Sequence, residues 1–254
     1  MNNLKFSEFF TSEDCIPDKR NKINTLHVGG KIKGFKDQKI FLTIGDNHVR
    51  STPQNKNSMY GKIVSIDLET KKYEIVAMGV RNSQGLHYDK IRDIIIFTDH
   101  GPKGGDEINI NFSPNNEIIE NYGWPISSYG EEYDGKKREG SPFHKSHKDY
   151  GFIEPVKYFE KGIGISEIIK VPSIFNKNFE NSFFIGALGY KQQMNEGDQS
   201  IHHISFDKDF KNIVSEDIIP VGERIRDMIL LEEENIILMI LESIPAIGVL
   251  KLVD

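Results

Sequence analysis

The chain has 254 residues, 28% of them charged, with 32 Lys and Arg against 38 Asp and Glu for a formal net charge of −6. The lysines are scattered and no basic cluster stands out, which excludes a nucleic-acid binder working by bulk electrostatics. A single cysteine, Cys15, excludes an internal disulfide framework, and no apolar run reaches the length of a membrane span.

The opening "MNNLKFSEFFTSEDC" is amphiphilic and acidic, without the apolar core of a signal peptide; taken literally, such a chain stays where it is made. From there on, short apolar runs follow one another: "KIFLTIG", "GKIVSID", "DIIIFTD", "SFFIGAL" and "NIILMIL". They are rich in Ile, Phe, Val and Thr, and turn residues bound most of them, as expected of strands. No capped, striped helix of several turns appears, so the fold class is all-β.

Two hairpin patterns recur. "KGFKDQKIFLT" (33–43), "LHYDKIRDIIIFT" (86–98) and "ILLEEENIILMI" (229–240) each place a short alternating strand, a polar turn and a stronger Ile-rich strand. "VSIDLETKKYEIV" (64–76) and "HISFDKDFKNIVS" (203–215) each place an Asp at the entrance of the turn. Recurring hairpins of two kinds point to four-stranded blades and a β-propeller, with a sandwich as the competing architecture. About four units are expected, near 30–78, 84–125, 152–220 and 224–253, forming one partial propeller domain over 1–254. The segment 99–151 exceeds the usual connection length and is a functional-loop candidate.

The candidate sites follow in chain order. His27, in "NTLHVGGKI", precedes two glycines and a strand; read alone, a single histidine there is more often structural than catalytic. "GVRNSQGLHYD" places Arg81, Asn82 and Gln84 at the entry of a strand, where an arginine clamp and amides suit a carboxylate ligand. "DHGPKGGDEIN" (99–109) lacks the Lys-Ser/Thr ending of a phosphate loop, and its acids repel phosphate. A calcium site, with carbonyls of Gly101 and Pro102 and carboxylates of Asp106 and Glu107, competes there with an ordinary wide turn. "NYGWPISSYGEEYDG" holds the only Trp with three tyrosines, suited to stacking on a sugar ring or simply to packing the loop. "GERIRDM" sets Arg224 and Arg226 two apart, on one face of a strand, as an anion grip or a salt-bridged surface. His87, His100, His202 and His203 show no zinc-ligand spacing.

Together these segments resemble the soluble pyrroloquinoline-quinone (PQQ)-dependent aldose sugar dehydrogenases of the glucose/sorbosone dehydrogenase family. The order "HVGGKI…IFLTIGD", "GKIVSIDL", "GVRNSQGL", "DHGPKGGDEIN", "NYGWPISSYGEEYDG", "EPVKYF", "FFIGAL" and "RIRDM" carries it, over most of residues 27–231. The resemblance implies a six-bladed propeller that oxidises aldoses at C1 to lactones and passes electrons to an external acceptor. It makes His27 the general base, and gives Arg81, Asn82, Arg224 and Arg226 to the cofactor. It gives the carbonyls of Gly101 and Pro102 to an activating Ca2+, and Glu107 and Tyr122 to a second, structural Ca2+. Relatives often carry a cofactor-binding lysine where this chain has Gly189, and Lys191 is the expected substitute. The family places some two blades ahead of the base, so an N-terminally truncated chain is expected, with a completing chain or a homodimer as partner. The resemblance also implies a periplasmic or secreted protein. A non-catalytic binding module, or an inactive fragment of the same family, is the alternative.

Overall fold

Hairpins follow wherever the alternating runs meet an Asp-led turn. The computed structural model describes residues 5–12, 26–34, 36–115, 118–175, 180–189 and 197–252, and among them strands fall into four sheets. The first sheet holds β1 (Gly29–Gly34), β2 (Lys39–Ile44), β3 (Lys62–Asp67) and β4 (Tyr73–Met78). The second begins with β5 (Ser83–Asp89), β6 (Ile94–Asp99) and β7 (Asp106–Asn111). β8 (Glu120–Asn121) returns to the first sheet, parallel to β4, and after the long loop β9 (Lys157–Phe159) closes the second against β7. The third runs β10 (Ile165–Lys170), β11 (Ser182–Ala187), β12 (Ser200–Phe206) and β13 (Ile213–Pro220). The fourth has three strands, β14 (Ile225–Leu231), β15 (Ile236–Leu241) and β16 (Ala246–Leu250).

Apart from the parallel β8, each sheet pairs its strands antiparallel, and the first strands of successive sheets neighbour one another in the order β1, β5, β10, β14. That is the blade plan of a propeller, and the expected all-β propeller architecture holds. Both hairpin patterns are blade halves: the first joins inner strands to second strands, the second joins third strands to fourth. The Asp at each turn entrance explains the motif. Asp67 Oδ1 accepts the Glu69 and Thr70 amides at 3.0 and 2.7 Å, and Asp207 Oδ1 accepts that of Lys211 at 2.8 Å.

Blade boundaries differ from expectation at one place. The second sheet draws its last strand from 157–159, on the far side of the loop, and residues 120–121 belong to the first sheet. Pairing across such a separation is decided by which edge is free, and no local periodicity reports that. The segment 99–151 also contains two strands, β7 and β8, so it divides into a tight turn before Asp106 and a long loop after Asn121.

The core lies between blades. Phe41, Ile63, Leu86 and Phe97 fill the space between sheets one and two. Ile96, Ile108, Ile168 and Phe183 do so between two and three, and Phe184, Ile225, Met228 and Ile237 between three and four. Strands buried on both faces read as continuous apolar runs, which is why "DIIIFTD" and "SFFIGAL" do not alternate. The far face of the fourth sheet exposes Ile229, Ile240, Ile247 and Val249.

Polar groups join the inner strands. Lys31 on β1 pairs with Glu167 on β10 and, at 2.6 Å, with Asp227 on β14. Burial pushes the Glu167 carboxyl up to about 7, helped by its hydrogen bond with Asp227 and opposed by Lys31. A carboxyl with a raised folded-state pKa stabilises fully below its ordinary value of 4.5, and that contribution is lost as pH rises through about 7. Glu167→Gln is therefore expected to flatten the decline in stability across this window, by up to about 3 kcal/mol at its upper end. Urea unfolding of both proteins at a series of pH values reads the difference; parallel curves count against it.

Candidate active site

The loop after β2 holds the first catalytic candidate, His27, which precedes β1. Gly45 approaches the His27 backbone so closely that a Cβ there would lie 1.9 Å from the His27 carbonyl oxygen, so only glycine lets the two segments meet. Next to it, Asp46 accepts from His27 Nδ1 at 2.9 Å and from the His48 amide at 2.9 Å through Oδ1. Its Oδ2 accepts Trp124 Nε1–H at 2.8 Å. His27, Asn47 and His48 all take positive φ, and the His48 ring stacks on that of His27 at 3.7 Å. Three such backbones around one imidazole are held by their surroundings, a concentration typical of functional sites. Lys62, fully buried, braces the same loop by donating to the carbonyls of Thr52, Pro53 and Tyr60 at 2.8, 2.9 and 2.8 Å.

The other nitrogen of His27, Nε2, meets Arg81 Nη2 at 2.9 Å. Since arginine only donates, Nε2 is the unprotonated atom and Nδ1 carries the hydrogen directed at Asp46. Burial drives the His27 pKa down to about 4, with Arg81 adding to the shift and Asp46 opposing it. Asp46 is pushed up by burial, but its bond to His27 and the charges of His27 and Arg81 outweigh that and hold it below the usual carboxylate range.

Arg81 and Asn82 are positioned through their backbones: Asp99 accepts their amides at 2.8 and 2.6 Å. The Arg81 guanidinium also donates to the His100 carbonyl and lies over the Trp124 ring. Asn82 Oδ1 accepts from Gly29 N at 3.2 Å and from Gln84 Nε2 at 2.8 Å. Gln84 Oε1 in turn accepts Arg226 Nη1 at 3.4 Å. Arg226 and Arg224 both pair with Glu242, and Arg224 Nη1 donates to the carbonyls of Leu188 and Gly189 at 2.9 and 2.6 Å. The two motifs, 142 residues apart along the chain at Gln84 and Arg226, thus join in one hydrogen-bonded chain.

The glycine-rich turn answers to packing. A Cβ on Gly105 would lie 2.1 Å from Gly130 N, so the turn lets two loops touch backbone to backbone. Asp106 accepts Gly101 N at 2.8 Å and Ile165 N at 3.1 Å, so both its oxygens are engaged in holding the turn beneath Gly101 and Pro102. Glu107 is buried, 3.3 Å from His147 Nε2, and the Tyr122 hydroxyl donates to Glu120 and lies 3.1 Å from the Ile110 carbonyl. Burial pushes His147 down, but Glu107, Glu154 and the Tyr122 backbone outweigh that and raise it. Trp124 is buried and packs the loop, while Tyr129 stacks on Tyr158 at 3.7 Å. Both tyrosines line a groove of about 1100 Å3 that also touches Pro102, Gly164, Leu188 and Arg224.

The structure therefore brings together His27 and Arg81, and Asn82 with Arg224 and Arg226, with Gly101 and Pro102 following His100. Lys191 lies outside the described residues. Gly189 has φ +67 and a Cβ there would meet Asp198 Cβ at 2.9 Å, so a lysine at this position would be strained. Among the described residues no group of three or more His, Cys, Asp or Glu is placed to hold a metal. Sequence reading passed over Asp46 and Glu242. The signal for Asp46 was present, an acid directly after a strand end in "LTIGDN", but its partner is 19 residues away.

The Glucose / Sorbosone dehydrogenase family model matches residues 5–244. Aldose sugar dehydrogenase YliI of Escherichia coli (strain K12) is 29% identical over 222 residues, 80% of this chain and 54% of its own length. The chain spans about half the length of the curated relatives it matches. A crystal structure of glucose dehydrogenase shares the fold with a TM-score of 0.72 at 25% identity, over 89% of this chain and 64% of that one. The PQQ-bound form of the aldose sugar dehydrogenase from Streptomyces coelicolor shares the fold with a TM-score of 0.57 at 18% identity, over 83% of this chain and 55% of that one. With a family match from residue 5 to residue 244, the chain belongs to the Glucose / Sorbosone dehydrogenase family.

Proposed function

We propose that this chain forms the catalytic part of a PQQ- and calcium-dependent dehydrogenase that oxidises aldoses at C1 to lactones. The observation that carries the reading is a pair of orphaned donors. Arg81 Nε and Arg224 Nε are buried without a hydrogen-bond partner, on two of the residues the resemblance assigns to a tricarboxylate cofactor. A buried, unmatched N–H costs about 1–3 kcal/mol, and a carboxylate ligand would satisfy it. When bound, PQQ supplies the hydride acceptor, with Ca2+ held by the carbonyls of Gly101 and Pro102 as its activator. The S. coelicolor protein of the same fold has been described in a PQQ-bound form, which supports the cofactor.

The chain's own residues do the acid–base work. Oxidation of an aldose at C1 releases a proton from the anomeric hydroxyl, and His27 Nε2 is the atom to take it. The tautomer is right: Nδ1–H is committed to Asp46, and the Nε2 lone pair is shared only with an Arg81 N–H that a substrate hydroxyl can replace. With its pKa near 4 the ring is neutral at ordinary pH, and Asp46 stabilises the imidazolium as it forms. Arg81, Asn82, Arg224 and Arg226 orient the anionic cofactor and offset its charge.

Electrons would leave to an external acceptor, and the family points to a periplasmic or secreted protein; among the described residues no helix is long and apolar enough to cross a membrane. The exposed Ile229, Ile240, Ile247 and Val249 support a partner on the fourth sheet, either a completing chain or a second copy. A non-catalytic module is the second reading, favoured by Glu242, which already compensates both Arg224 and Arg226. Purified protein supplied with PQQ, calcium, several aldoses and a dye acceptor decides between them. Dye reduction with retained quinone absorbance is expected, and absence of both overturns the enzymatic reading.

A further inference from the structure

A carboxylate buried as deeply as Glu107 needs a partner. Family resemblance assigns one, a second calcium held between Glu107 and Tyr122. In this chain a side chain stands there. His147, 1% exposed, brings Nε2 to 3.3 Å from Glu107 Oε1, and the backbone of Tyr122 lies against the same ring. Glu107 Oε2 is engaged with Asn109 Nδ2 at 3.1 Å, and the Tyr122 hydroxyl donates to Glu120 at 2.6 Å. We infer that the imidazole of His147 takes the place of the second calcium, so that this part of the fold is built without a metal ion.

The ring is set by its surroundings. It stacks on Tyr129 with centroids 5.4 Å apart and planes 14° from parallel. Its amide donates to Glu154 Oε2 at 3.0 Å, the Lys148 amide joins at 2.8 Å, and the Phe152 amide closes the turn on the His147 carbonyl at 3.0 Å. Gly123 gives it room, since a Cβ there would lie 3.2 Å from Nδ1. The segment "SHKDYGF" is therefore a turn that delivers one imidazole to one carboxylate.

The remaining space has the wrong chemistry for a dication. It is a cavity of about 10 Å3 walled by Arg81, Asp99, Gly101, Glu107, Tyr122 and His147, about enough for one water. Arg81 lines it, and an arginine N–H can only donate. Donors ask for an acceptor such as a water oxygen, and the guanidinium charge repels Ca2+ at this range. Asp99 has committed both oxygens to the Arg81 and Asn82 amides. Calcium takes about six to eight oxygens, and the two side chains expected to offer them are already engaged, Glu107 with Asn109 and His147 and Tyr122 with Glu120.

The inference rests on the cofactor reading only for where a second ion is expected, and PQQ-free protein tests the two apart. Dialysis of the full chain against calcium, with metal analysis and thermal melts in calcium and in EGTA, is expected to show no tightly held ion and the same Tm in both. A wild-type chain that retains one calcium and melts higher with it overturns the inference. His147→Ala is expected to melt lower and to gain calcium affinity by about tenfold or more, with partial recovery of Tm on calcium addition. A His147→Ala chain that melts like the wild type, with or without calcium, also overturns it.

Discussion

Asp46→Asn is expected to lower kcat/KM for aldose oxidation by about 10²–10⁴-fold while leaving PQQ binding nearly unchanged. The reason lies in the hydrogen bonds. Asp46 accepts three N–H groups, from His27 and His48 through Oδ1 and from Trp124 through Oδ2. An asparagine has one acceptor oxygen, so whichever way it turns, an NH2 faces an N–H donor. If it keeps the Trp124 bond, His27 is pushed toward the tautomer with its hydrogen on Nε2, and the proton acceptor disappears. If it keeps the His27 bond, the imidazolium formed during reaction still loses its counter-charge, and the His27 pKa falls below its already low value of about 4. Steady-state kinetics beside a PQQ titration by absorbance separates catalysis from binding. A variant that turns over at the wild-type rate would remove His27 and Asp46 from the proposed role.

Replacing both Arg224 and Arg226 by alanine is expected to weaken PQQ binding by about 10³-fold or more, the scale of removing two charge-assisted partners from an anionic ligand. Three changes act in one direction. The guanidiniums are lost, Glu242 is left without its two partners, and that freed carboxylate then repels the carboxylates of the cofactor. Part of the effect is structural, because Arg224 also holds the carbonyls of Leu188 and Gly189. Thermal melts without PQQ measure that part, and Arg226→Ala alone, which spares those carbonyls, isolates the electrostatic share. A loss of affinity under tenfold in the double variant would favour the non-catalytic module.

Much of this was legible in the sequence because propeller blades are local. The strands of a hairpin are a few residues apart, so Asp-led turns and Ile-rich runs announce each half-blade without knowledge of its neighbours. Arg81, Asn82, Arg224 and Arg226 were visible only as candidates, because a polar loop and a salt-bridged strand carry the same residues at the same spacing. The glycine turn at 99–109 was harder. Spacing left a cation site and a plain turn both open, and only the structure shows Asp106 engaged with Gly101 and Ile165 and Gly105 pressed on Gly130.

What the chain order alone determined was the all-β class and the hairpin units, since period-two alternation and turn chemistry act within a dozen residues. Tertiary structure alone decided that β9 joins the second sheet, that Asp46 orients His27, that Glu242 bridges the arginines and that His147 meets Glu107. Each of these contacts joins segments brought together by blade packing, and an ordinary Asp, Glu or His carries no local mark of the partner it will find there.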